Sequence, residues 1–378
     1  MKLTASVKKG DIIVGSPLQH DVYNEDGELL LKKNQIIETQ RQLEILIKRG
    51  LFFKTDMDTS RSTERSEVKE KQHTPFELLD NIYDELSGLY NSLGEKNFSS
   101  KILDICKRIQ LSCQINEDAS LGTILLNRDW WYPVSHQIHC ALLCEILLSH
   151  LGGSPENRLS LLAAGLTMNI GMIDLQETLY NQKERLNDKI RNEVKTHPVS
   201  GIKLLQKHGV NDGNWLTIVQ QHHELMDGSG YPQGLKGDEI DYNARLLTLA
   251  DIYSTKMSPR AYRDPLPPHI AAREVFTGDR GQCFDQELTR IFLKRFGMFH
   301  PGSFVRLANG ETALVTYRGL KIDQPKVKSV SRADGRPLLS PAFRDCSEED
   351  YKIIGYIAPQ KVNISINKML VWGYWGGE

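Results

Sequence analysis

The sequence predicts a mainly α-helical protein with a small α+β module at its N-terminus and a β-rich extension at its C-terminus. Apolar residues recur at helical spacing almost throughout residues 75–299. On either side of this region, strand-like alternation and turn residues take over. We therefore divide the chain into an N-terminal accessory module (1–55), a flexible polar linker (56–74), a helical domain (75–299) and a C-terminal extension (300–378).

The N-terminal module combines a predicted hairpin with a predicted short helix. Residues 12–31 alternate around a polar turn at residues 24–27, which is typical of a hairpin. Thr39 and Gln42 then form a capping box that begins a helix. Residues 56–74 carry mixed charge and almost no apolar side chains, so they cannot bury enough surface to fold alone.

The helical domain and the extension differ in their apolar period. Ile102, Leu103, Cys106 and Ile109 share one helical face. In the extension, the strand-like pattern turns at Asn309-Gly310, the strongest two-residue hairpin signal. The run KVNISINKMLVWGYW, residues 361–375, also has a strand-like pattern, and we expect a strand there.

Composition excludes two classes of partner. Lys and Arg total 47 against 48 Asp and Glu, so no overall charge draws the molecule to nucleic acid or to anionic lipid. No apolar stretch approaches the ~18 uninterrupted residues of a membrane span, and the N-terminus lacks the apolar core of a signal peptide. We expect a cytoplasmic protein that binds neither nucleic acid nor membrane.

The cysteines do not predict a disulfide scaffold or a zinc pair. Four of the six lie in apolar helical stretches at spacings unlike CxxC: Cys106, Cys113, Cys140 and Cys144. We interpret them as reduced core residues, because free cysteine is commonly buried.

Histidines and one carboxylate form the candidate metal site. The histidines are His136, His197, His222, His223 and, less clearly, His139. Alone, each is more simply a hydrogen-bonded core residue. His222 and His223 project about 100° apart on a helix, an arrangement that suits two adjacent metal ions. Asp251 ends an apolar helical run, and a buried carboxylate needs a partner such as a metal ion.

A glycine-rich loop follows the histidine pair directly. Its glycines permit positive φ and close backbone approach, and its proline stiffens the exit. Alone, such a segment is a surface loop between helices, but its position beside two histidines favours a functional role. The residues concerned are Asp227, Gly228, Gly230, Tyr231 and Pro232.

The run HHELMDGSGYPQGLKGDEI, residues 222–240, resembles the HD-GYP domains, metal-dependent phosphodiesterases that hydrolyse cyclic di-GMP in bacteria. Further matches extend the resemblance over residues 115–300. They are His136, His197-Pro198 with Gly201, Ala244-Arg245, Leu249-Ala250-Asp251, Arg260-Ala261-Tyr262-Arg263 and Phe284-Asp285.

The resemblance implies an HD-type helical bundle and a set of functional residues. The implied metal ligands are His136, His197, His222, His223 and Asp251. The arginines available for substrate phosphates are Arg245, Arg260 and Arg263, with Lys256 as a weaker candidate. The resemblance implies cyclic di-GMP as the ligand. It also implies a diguanylate cyclase of the GGDEF type as a possible partner. Whether the protein forms a homodimer is left open.

The chain departs from the family where HD-GYP domains have HDIGK. Here the sequence is Met168-Asn169-Ile170-Gly171-Met172. The family's histidine there is a metal ligand, its aspartate bridges neighbouring metals, and its lysine holds substrate phosphate. Tyr132 stands where some members have a glutamate ligand.

This departure predicts a degenerate site with at most one ion, iron (Fe) or manganese (Mn), or none. Asn169 is neutral and cannot screen two close cations, while the Met168 thioether does not suit hard metals. We expect a protein that binds nucleotide or a partner with weak or no phosphodiesterase activity. The alternatives are an active single-metal phosphodiesterase, with Asp174 replacing the lost carboxylate rather than simply capping a helix, and a structural adaptor.

Overall fold

The computed structural model divides the chain into two compact units, Met1–Lys71 with Gly376–Glu378 and Gln72–Trp375. In the first unit the structure describes residues 5–6, 18, 22–23, 29–32, 35 and 52–53. In the second it describes residues 73–374 apart from gaps at 93–96, 183–186, 262, 278, 297, 320–323 and 363. The predicted helical domain and the C-terminal extension up to Trp375 therefore lie in one unit.

The described part of the first unit is a small antiparallel sheet. Its strands are β1 (Ala5–Ser6), β2 (Val22–Tyr23), β3 (Leu29–Leu31) and β4 (Phe52–Phe53), in the order β1-β4-β2-β3. Strands β2 and β3 pair on either side of the predicted turn, with Val22 opposite Leu31. The turn itself, the helix predicted after Thr39 and the linker up to residue 72 lie outside the described residues.

The second unit is mainly helical, as predicted. Its α-helices are α1 (Pro75–Asn91), α2 (Phe98–Leu126), α3 (Tyr132–His150), α4 (Pro155–Thr167), α5 (Ile173–Asn181), α6 (Asp188–Lys207), α7 (Gly213–Gln221), α8 (Tyr242–Met257), α9 (Pro268–Phe276), α10 (Gln286–Phe296) and α11 (Lys368–Trp372).

Helix α3 lies at the centre of this unit and is buried over almost its whole length. It packs against α2, α4 and α8, whose apolar faces form one continuous core. The predicted face of α2 points into that core, with Ile102, Cys106 and Ile109 fully buried. Because α3 carries His136, the core fixes the position of one candidate ligand.

Helix α2 bends at Asn116, whose backbone is extended (φ −163°, ψ 100°). The Asn116 side chain accepts a hydrogen bond from the Ala119 amide at 2.9 Å, so it caps the second half of the helix. The same side chain donates to the Tyr317 hydroxyl at 3.1 Å. The bend thus directs the end of α2 towards the C-terminal sheet.

The C-terminal extension is an antiparallel sheet in the order β8-β7-β6-β5-β9. The strands are β5 (Phe304–Leu307), β6 (Thr312–Tyr317), β7 (Lys326–Ser331), β8 (Pro337–Asp345) and β9 (Ile353–Ile357). The predicted Asn309-Gly310 hairpin joins β5 to β6, and Gly310 has the positive φ that such a turn requires. Arg318 binds Glu117 and Asp118 of α2, which ties the sheet to the helices.

The strand expected within residues 361–375 is wrong, because this segment contains α11. The Asn367 side chain accepts a hydrogen bond from the Leu370 amide at 3.1 Å and begins the helix. Gly373, with φ 81°, ends it. The helix buries Trp372 against Phe76, with ring centroids 5.3 Å apart, so packing against α1 prevails over the alternating pattern.

One stretch of the described residues, Pro155–Asn181, is long and apolar enough by composition to cross a membrane. Its most apolar window is 67% buried inside the unit, as expected for a core helix of a globular protein. A 3-10 turn at Ile170–Met172 also interrupts it. The apolar composition of this stretch is therefore explained by its burial in the core.

A buried ion pair holds α3 against the start of α4. Arg158 donates to both carboxylate oxygens of Glu145, at 2.9 and 2.8 Å, and both residues are almost fully buried. A two-pronged pair of this kind compensates for the loss of water around each charge. Removing one partner leaves the other charge buried and unpaired.

We predict that Arg158→Met lowers the free energy of unfolding by about 3–5 kcal/mol, measured by urea denaturation. Glu145→Met combined with Arg158→Met should recover most of this loss, because no unpaired charge remains. The matched control is Arg191→Met, which breaks an exposed pair with Asp188 and should change stability by less than about 0.5 kcal/mol. Equal effects of the two single variants would contradict this role.

Candidate functional site

Two histidines, on α6 and just after α7, face each other through their Nε2 atoms. Nδ1 of His197 lies 2.6 Å from the Val194 carbonyl oxygen, and Nδ1 of His222 lies 2.6 Å from that of Val219. Because a carbonyl oxygen only accepts, each Nδ1 carries the ring proton. The unprotonated Nε2 atoms of the two neutral rings then lie 3.2 Å apart.

Two unprotonated nitrogens this close repel each other unless a cation lies between them. Burial, the largest cause, lowers the pKa of His197 to about 3 and lowers that of His222 as well, so a proton does not fill this role at neutral pH. Ligand nitrogens about 2.0–2.1 Å from a tetrahedral ion lie about 3.3 Å apart, close to the separation in the structure. Rings whose other nitrogen donates to a carbonyl are typical of metal ligands. The residues present therefore fit a divalent metal ion.

His223 completes the first group. The ligand atoms of His197, His222 and His223 all lie within 4.8 Å of one another. Burial and the neighbouring His222 lower the pKa of His223 well below its usual value, which keeps the ring neutral and able to bind a metal. We call these residues the three-histidine group.

A second group adjoins the first through Asp251. His136 Nε2 lies 2.8 Å from Asp251 Oδ1, and His136 Nδ1 lies 3.2 Å from the Ser254 hydroxyl. The other oxygen, Asp251 Oδ2, is 3.8 Å from His223 Nδ1. Burial opposes ionisation of Asp251, but the hydrogen bond and charge of His136 outweigh it and lower its pKa. An ionised carboxylate therefore spans the two groups.

The five predicted ligands thus come together, whereas His139 does not join them. Its ring is buried beside Trp130, with centroids 6.5 Å apart, and neither ring nitrogen has a partner among the described residues. Burial lowers the pKa of His139 to about 3, so it is a neutral core residue.

The segment Met168–Met172 lies against the helix that carries His197. A Cβ on Gly171 would come within 2.4 Å of the His197 carbonyl oxygen, so only glycine permits this contact. Met168 and Asn169 are buried, and Asn169 Oδ1 has no partner among the described residues. The segment that departs from the predicted family pattern is therefore next to the candidate site.

Asp174, the residue considered as a substitute carboxylate, is exposed in the first turn of α5. Met172 precedes that helix as its N-cap, and its side chain makes no capping hydrogen bond. Asp174 belongs to neither ligand group. An acidic residue in a first turn is explained by the helix dipole.

The glycine-rich loop packs its backbone against the residues that follow the histidine pair. A Cβ on Gly230 would lie 2.4 Å from the Leu225 amide nitrogen and 2.6 Å from the His223 carbonyl oxygen. The buried Glu224 carboxylate accepts hydrogen bonds from the amides of Gln233 at 2.6 Å and Leu235 at 3.0 Å. These contacts hold the loop beside His223.

The loop places Tyr231 on the ring of His223. The two rings stack with centroids 4.7 Å apart and planes 29° apart. Pro232 follows, while Asp227 and Gly228 form the entry turn, in which the Asp227 carboxylate accepts from the Ser229 amide at 2.9 Å. The loop therefore orients a candidate ligand.

An aromatic stack covers the His136 side of the site. Tyr132, at the position of the glutamate ligand in some family members, stacks on His136 with centroids 5.2 Å apart and on Tyr180 with centroids 4.8 Å apart. The Arg260 guanidinium lies 4.1 Å above the Tyr132 ring and donates to its hydroxyl. Arg260 Nε has no partner among the described residues.

The other predicted cations are engaged elsewhere. Arg263 donates to the backbone carbonyls of Thr255 and Lys256. Arg245 donates to the Ile240 carbonyl and pairs with Asp238 and Asp285, each at 3.1 Å. Lys256 lies 3.5 Å from Glu274. Tyr262 lies outside the described residues.

Three residues near the ligands were not predicted from the sequence as part of the site. Glu224 anchors the loop, Ser254 contacts His136, and Cys140 lies with His136 and Asp251 in the second group. Helical spacing could have indicated two of them, since Ser254 follows Asp251 by three residues and Cys140 follows His136 by four.

Comparison with known proteins identifies the domain. A family model described as "HD domain" matches residues 124–288. The chain carries an HD domain. Its fold resembles Bd1817, an HDG"Y"P protein from Bdellovibrio bacteriovorus, with a TM-score of 0.51 and 16% identity over 77% of this chain and 98% of that one. The HD-type fold inferred from the resemblance is confirmed.

Curated relatives of this HD domain have names from cyclic dinucleotide signalling. The chain is 27% identical over 238 residues to the cyclic di-GMP phosphodiesterase PA4108 of Pseudomonas aeruginosa, covering 62% of this chain and 57% of that protein. It is 29% identical over 152 residues to the cyclic di-GMP phosphodiesterase response regulator RpfG of Xanthomonas campestris pv. campestris, covering 39% of each. The chain thus spans about half or less of the length of these relatives, and the resemblance to the HD-GYP family is confirmed.

We predict that Gly230→Ala weakens Mn²⁺ binding about 10–100-fold, measured by titration calorimetry, because the added Cβ displaces the loop that orients His223. Gly213→Ala is the matched control, since a Cβ there meets nothing within 4 Å. If both variants bind as tightly as the parent, the loop does not support the metal ligands.

Proposed function

We propose that the chain is a cyclic di-GMP signalling protein that binds nucleotide, a partner protein or both, with weak or no phosphodiesterase activity. Its HD domain is related to cyclic di-GMP and cGAMP phosphodiesterases at modest identity. The observation that carries the metal part of the proposal is the pair of Nε2 atoms of His197 and His222, 3.2 Å apart. We assign one divalent ion, Fe or Mn, to the three-histidine group.

The proposed loss of activity rests on the Met168–Met172 segment. Two-metal hydrolysis places ions about 3.5–4 Å apart and stabilises them with bridging anions. Of the two described ligand groups, only Asp251 contributes a carboxylate. Asn169 is neutral, and Met168 offers a thioether that iron and manganese bind poorly. A single Fe or Mn ion can bind and polarise a phosphate, but no hydroxide is then correctly positioned to attack it.

Arg260 is the proposed contact for nucleotide phosphate or guanine. Its guanidinium lies over the Tyr132 ring, 4.1 Å from the ring centroid, and is 5.7 Å from the centroid of Tyr180. Aromatic and guanidinium planes together suit a guanine nucleotide. Arg245 and Arg263 have structural partners. We therefore propose that they support the phosphate-binding surface and are not its main phosphate contacts.

A weak single-metal phosphodiesterase is the second candidate, favoured by the ionised Asp251 between His136 and His223. An adaptor without nucleotide is the third candidate. A GGDEF-type partner, a homodimer and a cytoplasmic location remain predictions. A pulldown with Tyr231→Ala tests the partner, because that change removes the side chain that holds the loop on His223.

We predict that Mn²⁺-loaded protein binds cyclic di-GMP but hydrolyses it at least ~100-fold more slowly than an intact HD-GYP relative. Calorimetry and product analysis on one sample measure both quantities. Turnover at about 1 s⁻¹ or faster would favour the active single-metal alternative. Binding should weaken in Arg260→Ala and persist in Arg290→Ala, an exposed arginine of α10. Absence of binding at about 1 mM would favour the adaptor.

We further predict that Met168→His, Asn169→Asp and Met172→Lys together raise Mn²⁺ occupancy from one ion per chain towards two. The new histidine and carboxylate supply ligands next to His197, and the lysine supplies a cation for phosphate. Elemental analysis after desalting measures the occupancy. A triple variant with the same Mn²⁺ content as the parent, and with intact far-ultraviolet circular dichroism, would rule out restoration by these three residues.

A further inference from the structure

A cavity of about 390 Å³ lies between the end of α2 and the C-terminal extension. Three parts of the chain form it: residues 125–130, Phe304 at the start of β5, and the segment 359–368 that follows β9. The described residues that line it include no candidate metal ligand and no proposed nucleotide contact. Its volume is typical of a small-molecule site, about 300–1,000 Å³.

One wall of the cavity explains the alternating pattern that does not form a strand. Val362, Ile364 and Ile366 occupy every second position, and all three line the cavity. The backbone is extended at Val362 and again at Asn367, and alternate side chains of an extended backbone lie on the same side. All three side chains are only half-buried. The pattern therefore presents an aliphatic wall to the cavity.

The opposite wall is apolar as well. Leu125 and Phe304 are buried beneath the cavity, and Leu126 and Pro359 extend their surface. Water against such walls is released when an apolar group covers them, which favours a ligand with a hydrocarbon body.

The charged residues of the lining favour an anionic group on that ligand. Arg128 Nε donates to the Leu125 carbonyl oxygen at 3.1 Å, which fixes the guanidinium. Partial loss of water around this guanidinium lowers the pKa of Arg128, and no neighbouring carboxylate counteracts the effect. Lys368, in contrast, lies 3.7 Å from Asp80 and donates to Asn127 at 2.5 Å.

Asp129 is the one carboxylate among the described lining residues, and its side chain is exposed. Arg128 and Lys368 therefore outnumber the acidic groups of the lining. Among the described residues, Arg128 is the cation of this cavity that has no ion pair.

We propose that this cavity binds an aliphatic carboxylate, whose chain packs on the wall of Val362, Ile364 and Ile366 and whose carboxylate pairs with Arg128. The guanidinium fork matches the two carboxylate oxygens. The ligand carries a single charged group, because the rest of the described lining is mostly apolar and would leave a second charge unpaired. The inference goes beyond the proposed function, since it uses none of the residues assigned to metal or nucleotide.

Titration calorimetry of the full chain with hexanoate, octanoate and decanoate tests the proposal. We expect one saturable site whose affinity rises about fourfold for each added methylene, as hydrocarbon is buried. The neutral analogue 1-octanol should bind about tenfold more weakly than octanoate, because it cannot form the charged pair with Arg128. Octylammonium should bind more weakly still.

Variants of the wall locate the binding. Ile364→Trp fills the cavity and should weaken octanoate binding at least tenfold. The matched control is Ile354→Trp, since Ile354 is 65% exposed on β9 and does not line the cavity.

Variants of the charged residues test the head group. Arg128→Gln should weaken octanoate about tenfold and leave 1-octanol unchanged, whereas Arg290→Gln, at an exposed arginine of α10, should change neither. Asp129→Asn should tighten octanoate binding, because it removes a repulsive carboxylate from the lining.

The proposal is overturned if decanoate shows no saturable binding up to about 1 mM, if octanoate, 1-octanol and octylammonium bind equally, or if a folded Ile364→Trp variant binds like the parent. Thermal unfolding identifies misfolded variants, and Val362→Phe replaces Ile364→Trp if tryptophan is not tolerated. Mn²⁺ and cyclic di-GMP binding should be the same in the parent and in Ile364→Trp. Failure of octanoate binding therefore leaves the proposed function standing, and loss of Mn²⁺ binding contradicts only the three-histidine group.

Discussion

The close approach of two unprotonated imidazole nitrogens, Nε2 of His197 and Nε2 of His222, is the constraint on which the rest of the site depends. Each ring is held by a carbonyl from the preceding turn of its own chain, so neither can rotate away without losing that hydrogen bond. Burial keeps both rings neutral. Two such nitrogens 3.2 Å apart repel each other unless a cation lies between them. The surrounding helices and loop hold the two rings in this arrangement.

That support comes from distant parts of the chain. Helix α3 brings His136 through the centre of the core and is held against α4 by the Glu145–Arg158 pair. Helix α8 brings Asp251, whose two oxygens reach towards both ligand groups. The loop after His223 is fixed from within by Glu224. The helices thus position the ligands, and the buried Glu224 carboxylate holds the loop beside them. Together they limit how far each ligand can move.

Sequence reasoning predicted the helical domain, the Asn309-Gly310 hairpin and the five residues that converge. Those features depend on local periodicity or on a long motif. The strand expected in residues 361–375 was wrong because Trp372 packs against Phe76 of α1, a tertiary contact that alternation does not encode. Cys140 is a buried free cysteine, as predicted, but its proximity to the Asp251 carboxylate depends on the packing of α3 against α8. The engagement of Arg245 by Asp238 and Asp285 likewise depends on contacts made across the fold.

The stack of Tyr231 on His223 has a thermodynamic consequence. The Tyr231 ring of the loop packs on one face of the His223 ring, a candidate metal ligand. A movement of the loop therefore also disturbs this ligand. Whatever binds the loop and alters the stack must change the affinity for the ion, and the ion must change the affinity for that partner by the same factor. For a partner protein that binds this loop, a change in metal supply would therefore change its affinity without any nucleotide being consumed.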